Sequence, residues 1–190
     1  MLILASASPR RAELLAAAGM AFTTAPADID ERVLPDETAE AHVRRLAEAK
    51  ARAVSAGHPG ALVLGADTVV VLDGRILGKP RDAAEAAEML RALAGRTHEV
   101  WTGVALVSDG GATVEAACTR VWFTGMTGAE INAYVATGEP MDKAGAYGIQ
   151  GRASRYIDRI DGSYTNVVGL PVALVARLLA EFGGGTSSTA

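Results

Sequence analysis

The run Leu2-Ile3-Leu4-Ala5-Ser6-Ala7-Ser8-Pro9-Arg10-Arg11 carries an apolar strand into two hydroxyls, a helix-starting proline and two guanidinium groups. This is chemistry suited to an anion. The first turn of a helix points amides outward with a positive dipole end behind them, Ser8 is placed to cap it, and Pro9 sacrifices no hydrogen bond there. Ser6, Arg10 and Arg11 add a hydroxyl and forked donors that match phosphate oxygens. The same residues also suit an ordinary capped surface helix with solvated arginines. Asp67 follows the buried-type run Leu62-Val63-Leu64-Gly65 and suits a general base or a metal ligand, because burial raises carboxylate basicity while nearby cations keep it ionised. A cap or turn carboxylate fits the sequence equally well.

Other charged and amide groups stand at the ends of expected elements: Glu31, Lys50, Lys79, Lys143 and Gln150. A nucleoside triphosphate brings roughly three to four negative charges, of which a divalent cation offsets about two, and a few local basic side chains balance the rest. The chain has no G-x-x-x-x-G-K-[ST] loop and no G-x-S-x-G elbow, which argues against a P-loop protein and an α/β-hydrolase. His42, His58 and His98 lack zinc-ligand spacing and read as surface or strand-edge residues.

Positioning these groups requires an α/β framework. A helix is expected from Ser8 to Ala18, stopping at Gly19, then a short strand near Ala21 to Thr24 and the acidic loop Asp28-Ile29-Asp30-Glu31. A long helix from about Glu37 to Ala56 places Val43, Leu46, Ala47, Lys50 and Val54 on one side, so Lys50 either lays its stem along the core edge or aims its ammonium into a cleft. Strands over Leu62 to Gly65 and Val69 to Leu72, a turn at Asp73-Gly74 and a return through Arg75-Ile76-Leu77 would bring Asp67 and Lys79 to the open end of a hairpin. Asp82-x-x-Glu85 and Thr127-x-x-Glu130 start helices ending near Gly95 and Gly138. Long strands are expected at Glu99 to Ser108 and Thr113 to Phe123, a structured glycine loop at Asp142 to Gly151, a strand near Tyr156 to Ile160 and a last helix over Pro171 to Phe182. Alternating helices and strands with long hairpins predict a mixed, twisted sheet flanked by helices.

The 190 residues, 49% hydrophobic and 21% charged, suffice for one well-buried domain, expected over residues 1–182, with a flexible tail at 183–190. A net charge of −4 and aromatic content of 5% argue against nucleic-acid binding. The one cysteine, Cys118, excludes an internal disulfide, fits a reducing cytoplasm and reads as a small core residue. The apolar stretch near Val167 to Leu179 is interrupted by Gly169, Pro171 and Arg177, so no membrane span is expected and the protein is placed in the cytoplasm.

Six segments together resemble the Maf nucleoside triphosphate pyrophosphatases: Leu4-Ala5-Ser6-Ala7-Ser8-Pro9-Arg10-Arg11, Leu46-Ala47-Glu48-Ala49-Lys50-Ala51, Gly65-Ala66-Asp67-Thr68, Gly78-Lys79-Pro80, Asp142 to Gly151, and Gly162-Ser163-Tyr164-Thr165-Asn166-Val167-Val168-Gly169-Leu170-Pro171. The resemblance spans Leu2 to about Phe182. It implies a fold like that of inosine triphosphate pyrophosphatases, two-lobed with a central cleft, and a homodimer. It implies hydrolysis of a nucleoside triphosphate to monophosphate and pyrophosphate with Mg²⁺ or Mn²⁺, removing non-standard nucleotides. Asp67, Lys79 and Lys50 are then the catalytic residues, and Ser6, Ser8, Arg10 and Arg11 the phosphate-binding ones. Arg11, Thr68 and Gln150 resemble the branch acting on dTTP and UTP, with CTP and modified pyrimidines open, and Glu31 joins Asp67 as a metal contact. A competing reading from the same resemblance is a nucleotide-binding regulator of septum formation with cell-division partners.

Overall fold

The computed structural model describes residues 1–184. Its elements run β1 (Leu2–Ala5), α1 (Pro9–Ala17), β2 (Thr23–Thr24), α2 (Ala39–Ser55), β3 (Leu62–Leu72), β4 (Arg75–Leu77) and α3 (Ala83–Leu93). There follow β5 (Thr97–Ser108), β6 (Gly111–Phe123), α4 (Gly128–Val135), β7 (Ile157–Asp161), α5 (Tyr164–Val168) and α6 (Val172–Gly184). The strands form one sheet in the order β2-β1-β3-β5-β6-β7, with β4 paired to β3. Parallel pairs β1/β2 and β1/β3 and antiparallel pairs β3/β4 and β6/β7 make it mixed, as expected.

The chain divides into two compact units, one of Met1–Asp67, Thr102–Ala117 and the chain from Gly169, the other of Thr68–Trp101 and Cys118–Val168. In the first unit the strands are buried on both faces. Ile3, Ala5, Val63, Ala105 and Val107 pack with Ala47, Ala51 and Val54 of α2, while the alternating residues Leu4, Leu64, Ala66, Val104 and Leu106 pack with Leu15 of α1 and Val175 and Leu178 of α6. The period of two thus assigns each side chain to a face, and helices on both faces explain the continuous apolar runs. In the second unit Val70, Leu72, Val100, Val121 and Phe123 pack with Ala86, Leu90 and Leu93 of α3 and Ile131 and Tyr134 of α4.

The helix starts follow local chemistry. Thr38 and Asp82 cap α2 and α3 by accepting from the Ala41 and Glu85 amides, and Thr127 with Glu130 completes a reciprocal capping box on α4. Ser8 stands at the N-cap of α1, but its side chain makes no capping hydrogen bond, in correction of the expected cap. Its backbone amide instead donates to Ser6 Oγ at 3.2 Å.

Several other expectations are corrected. The two strands expected at Leu62 to Gly65 and Val69 to Leu72 are one 11-residue strand, because Ala66, Asp67 and Val69 are buried like their neighbours and nothing interrupts the ladder. Asp67 and Thr68 therefore lie within a strand. Cys118 is exposed, on a stretch of β6 that alternates outward. His42 and His98 are buried, 3% and 2% exposed, because each finds a polar partner inside. α5 arises inside the motif Gly162 to Pro171, where no helix was expected. The expected tail at 183–190 begins inside α6 and otherwise lies outside the described residues.

Candidate active site

The parallel register of β1 and β3 pairs Ala5 with Gly65, so β1 reaches its carboxyl end against β3, and Ser6 leaves it alongside Ala66 and Asp67, which continue within β3. Ligands of open α/β sheets bind outside such carboxyl ends. Helix α2 lies directly on this region because two glycines permit it. A Cβ on Gly65 would overlap the Ala47 carbonyl oxygen and stand 2.9 Å from the Ala51 amide nitrogen, and a Cβ on Gly103 would overlap the Val43 carbonyl. The close approach brings Lys50, one turn along from Ala47, to Asp67 within β3. There its Nζ donates to Asp67 Oδ1 at 2.7 Å.

Lys50 and Asp67 are each 7% exposed, and the same ammonium lies 2.7 Å from Glu31 Oε1, whose side chain is half-exposed. Lys50 thus aims its charge between two carboxylates. A buried ion pair is a weak source of net stability, since desolvation consumes most of its Coulombic gain, so its retention here speaks for chemistry.

Arg11 is turned inward and buried. Its Nε donates to the Gly169 carbonyl at 2.8 Å, and Nη1 donates to the Ala66 carbonyl at 2.9 Å and to Ser6 Oγ at 3.0 Å. One guanidinium thereby ties the start of α1, the residue before Asp67 and the chain before α6. Burial pulls its pKa below the ordinary value, with Asp67 opposing, yet a guanidinium so far above neutrality stays charged. Ser6 Oγ accepts from Arg11 and from the Ser8 amide, so its O–H remains the group to donate. Arg10 is half-buried in the first turn of α1.

The loop carrying Glu31 has no regular structure, and a compact network anchors it. The Glu37 carboxylate accepts from Arg45 Nε at 2.5 Å and Nη2 at 2.8 Å, meets His42 Nδ1 at 2.9 Å and accepts from the Leu34 amide at 3.0 Å. Arg45 Nη2 also donates to the Arg32 carbonyl at 2.9 Å. Arg45 first, with the Leu34 amide and His42, holds the Glu37 carboxyl far below the usual carboxylate range despite burial. Sequence spacing offered no sign of this network. The lone glycine in an apolar strand at Gly65 was the one available signal for a close backbone approach.

Thr68, Lys79 and Gln150 belong to the second unit. Thr68 is half-buried on β3, Lys79 is exposed beyond β4, and Gln150 is exposed in the turn Gly148–Gly151, closed by the Gly151 amide donating to the Gly148 carbonyl at 3.1 Å. Lys143 is taken up by its own loop, with Nζ 2.7 Å from Asp142 Oδ1 and from the Glu139 carbonyl. Among the described residues no cluster of three or more His, Cys, Asp or Glu forms. The pair Asp67 and Glu31 suits a magnesium-type ion, which takes one or two carboxylates and fills its shell with water and substrate phosphate oxygens. Among the described residues no helix is long and apolar enough to cross a membrane.

A buried carboxylate–lysine pair where β1 ends against β3, with a helix start bearing two arginines in the same unit, is a set of groups in an α/β protein suited to a phosphate-bearing ligand. The family described as Maf-like protein matches residues 1–182, and the chain belongs to that family. A protein of Moorella thermoacetica named dTTP/UTP pyrophosphatase is 58% identical over 184 residues, spanning 96% of this chain and 95% of that one. Another of that name from Symbiobacterium thermophilum is 54% identical over 182 residues, spanning 96% and 94%. The solved Staphylococcus aureus Ham1 protein superposes over 98% of this chain and 99% of its own with a TM-score of 0.56 at 13% identity, a likeness of fold alone.

Proposed function

We propose that the protein hydrolyses nucleoside triphosphates, dTTP and UTP foremost, to the monophosphate and pyrophosphate. The reading is carried by the buried Asp67 held against Lys50, in a chain whose full-length relatives bear the name of that activity. Asp67 accepts the proton of a water whose oxygen forms the new bond to the α-phosphorus, and the bond to the bridging α–β oxygen breaks, releasing pyrophosphate. Lys50 orients Asp67 through their hydrogen bond and stands beside the charge that develops on the phosphates. Ser6, Ser8 and Arg10 hold the phosphate chain at the start of α1, while Arg11 contributes charge from behind and sets their geometry. A Mg²⁺ or Mn²⁺ ion, held by Asp67 and Glu31, would neutralise phosphate charge when bound.

Lys79 is assigned to phosphate binding, and Thr68 and Gln150 to reading the pyrimidine, on the match of their motifs. An amide such as that of Gln150 can pair with both a carbonyl and an N–H of a base edge. Homodimerisation follows from the same resemblance and is measured by light scattering on the purified chain.

The deciding experiment incubates the protein with dTTP, UTP, CTP, GTP and 7-methyl-GTP, each with magnesium or manganese, and resolves the products. Monophosphate plus pyrophosphate from dTTP and UTP is expected. Diphosphate plus phosphate would move the attack to the γ-phosphorus and overturn the mechanism, and absence of turnover with every nucleotide would overturn the activity.

A further inference from the structure

Gln150 is exposed and sits in a four-residue turn, so something else must hold it still if it is to discriminate between bases. Both ends of that turn are clamped by one carboxylate. Glu139 Oε2 accepts from the Arg152 amide, just beyond the turn, at 3.2 Å. Glu139 Oε1 accepts from the Tyr134 hydroxyl at 2.9 Å, and the same hydroxyl accepts from the Gly148 amide, at the front of the turn, at 3.3 Å. Burial first, then Glu139, pushes the Tyr134 hydroxyl above its ordinary pKa, so it keeps the proton it donates.

The turn also rests on this carboxylate sterically. A Cβ on Gly151 would overlap Glu139 Oε1 and lie 2.5 Å from its carboxyl carbon, and a Cβ on Gly148 would lie 2.7 Å from Lys143 Cε. A side chain at either glycine end of Gly148-Ile149-Gln150-Gly151 would thus displace the Glu139 carboxylate or the Lys143 stem, which fill that space.

We propose that Glu139, acting through Tyr134, is a positioning residue that fixes the Gly148–Gly151 turn and thereby aims Gln150 at the base of the nucleotide. This rests on the reading that Gln150 senses the base. Neither Glu139 nor Tyr134 need touch the substrate; they set the specificity of a residue that does. A loosened turn weakens recognition of the preferred base while leaving the phosphate chemistry at Asp67 and Lys50 unaltered.

The test measures kcat and KM separately for UTP and CTP in the full-length protein and in Glu139→Ala, Tyr134→Phe and Gln150→Ala. For Glu139→Ala the expected result is a loss of roughly tenfold in the UTP-over-CTP ratio of kcat/KM, expressed in the KM for UTP. Tyr134→Phe, which retains the buried ring, should move the ratio in the same direction by about threefold, and it decides the matter if Glu139→Ala does not fold. An unchanged ratio in the folded Glu139 and Tyr134 variants, with a changed one in Gln150→Ala, would overturn the positioning role. An unchanged ratio in Gln150→Ala would overturn the base-reading role itself and the proposal with it.

Discussion

The two units differ in the polar groups they bury. Besides Ser6, His42 and Thr102, the first buries the charge-bearing Arg11, Lys50 and Asp67, each with partners of opposite charge type or with carbonyl oxygens. In the second, the buried polar residues are His98, Thr119 and Asn166, all uncharged side chains or readily neutral. His98 shares a hydrogen bond of 2.7 Å with Tyr147 and packs edge-on to Phe123 and Tyr147, and burial pushes its pKa down to about 4. Asn166 donates to the Val100 carbonyl and to Thr119 Oγ1. Neutral networks of this kind specify a packing arrangement at modest desolvation cost, whereas buried ions are retained where their charge is used.

The largest effect expected from this contrast is on turnover. Asp67→Asn preserves shape and one acceptor but removes charge and basicity, so kcat should fall about 10²-fold or more while the melting temperature changes little. Near-normal turnover would break the contrast at its functional end.

The second unit should reveal itself through acid. Above pH 6.5 His98 is neutral folded and unfolded and has no pH-dependent effect. As pH falls from 6.5 toward 4 the unfolded chain takes up a proton that the folded chain refuses, and stability declines by on the order of 3 kcal/mol before levelling off. Thermal melts of His98→Gln across this range should show a flatter acid slope, and an unchanged slope would assign the loss elsewhere. Glu37 of the first unit acts lower. Its depressed carboxyl contributes stability that is present above its ordinary value of 4.5 and is lost as pH falls below it.

Gly65→Ala sharpens the role of helix approach. The added methyl has no room against α2, so destabilisation of about 2 kcal/mol and a further drop in activity are expected. Gly125→Ala, which meets nothing within 4 Å, is the control, and equal effects in denaturant titrations would refute the close-approach account. The smallest effect expected is that of Arg11→Lys, which keeps a charge but cannot reach three acceptors at once. A stability loss of about 1 kcal/mol should accompany a raised KM for the triphosphate. Wild-type KM in that variant would leave Arg11 a purely structural pin.

Much of the framework was legible along the chain. The continuous apolar run of β3, the caps at Asp82 and Thr127 and the inward face of α2 bearing Lys50 appear as expected, because each depends on residues only a few positions apart. The residues of the candidate site were legible as types. Their arrangement was not: the Glu37–His42–Arg45 anchor, the inward turn of Arg11 and the hold of Glu139 on the glycine turn leave no periodicity. Cys118 and His98 were misplaced for a related reason, since residue type gives only an average tendency to be buried and the pairing of strands decides the individual case.

By itself the sequence determined most of the elements, the capped starts of α3 and α4, and the family. The tertiary structure alone decided which side chains meet. Lys50 and Asp67 stand 17 residues apart and Arg11 and Gly169 stand 158 apart, and they come together only because parallel register sets the end of β1 against Gly65 of β3 and two glycines let α2 rest on the strands. Local propensity acts over a turn or two of chain, while contacts of that span are set by packing, where a single methyl on Gly65 would displace the helix that carries the lysine.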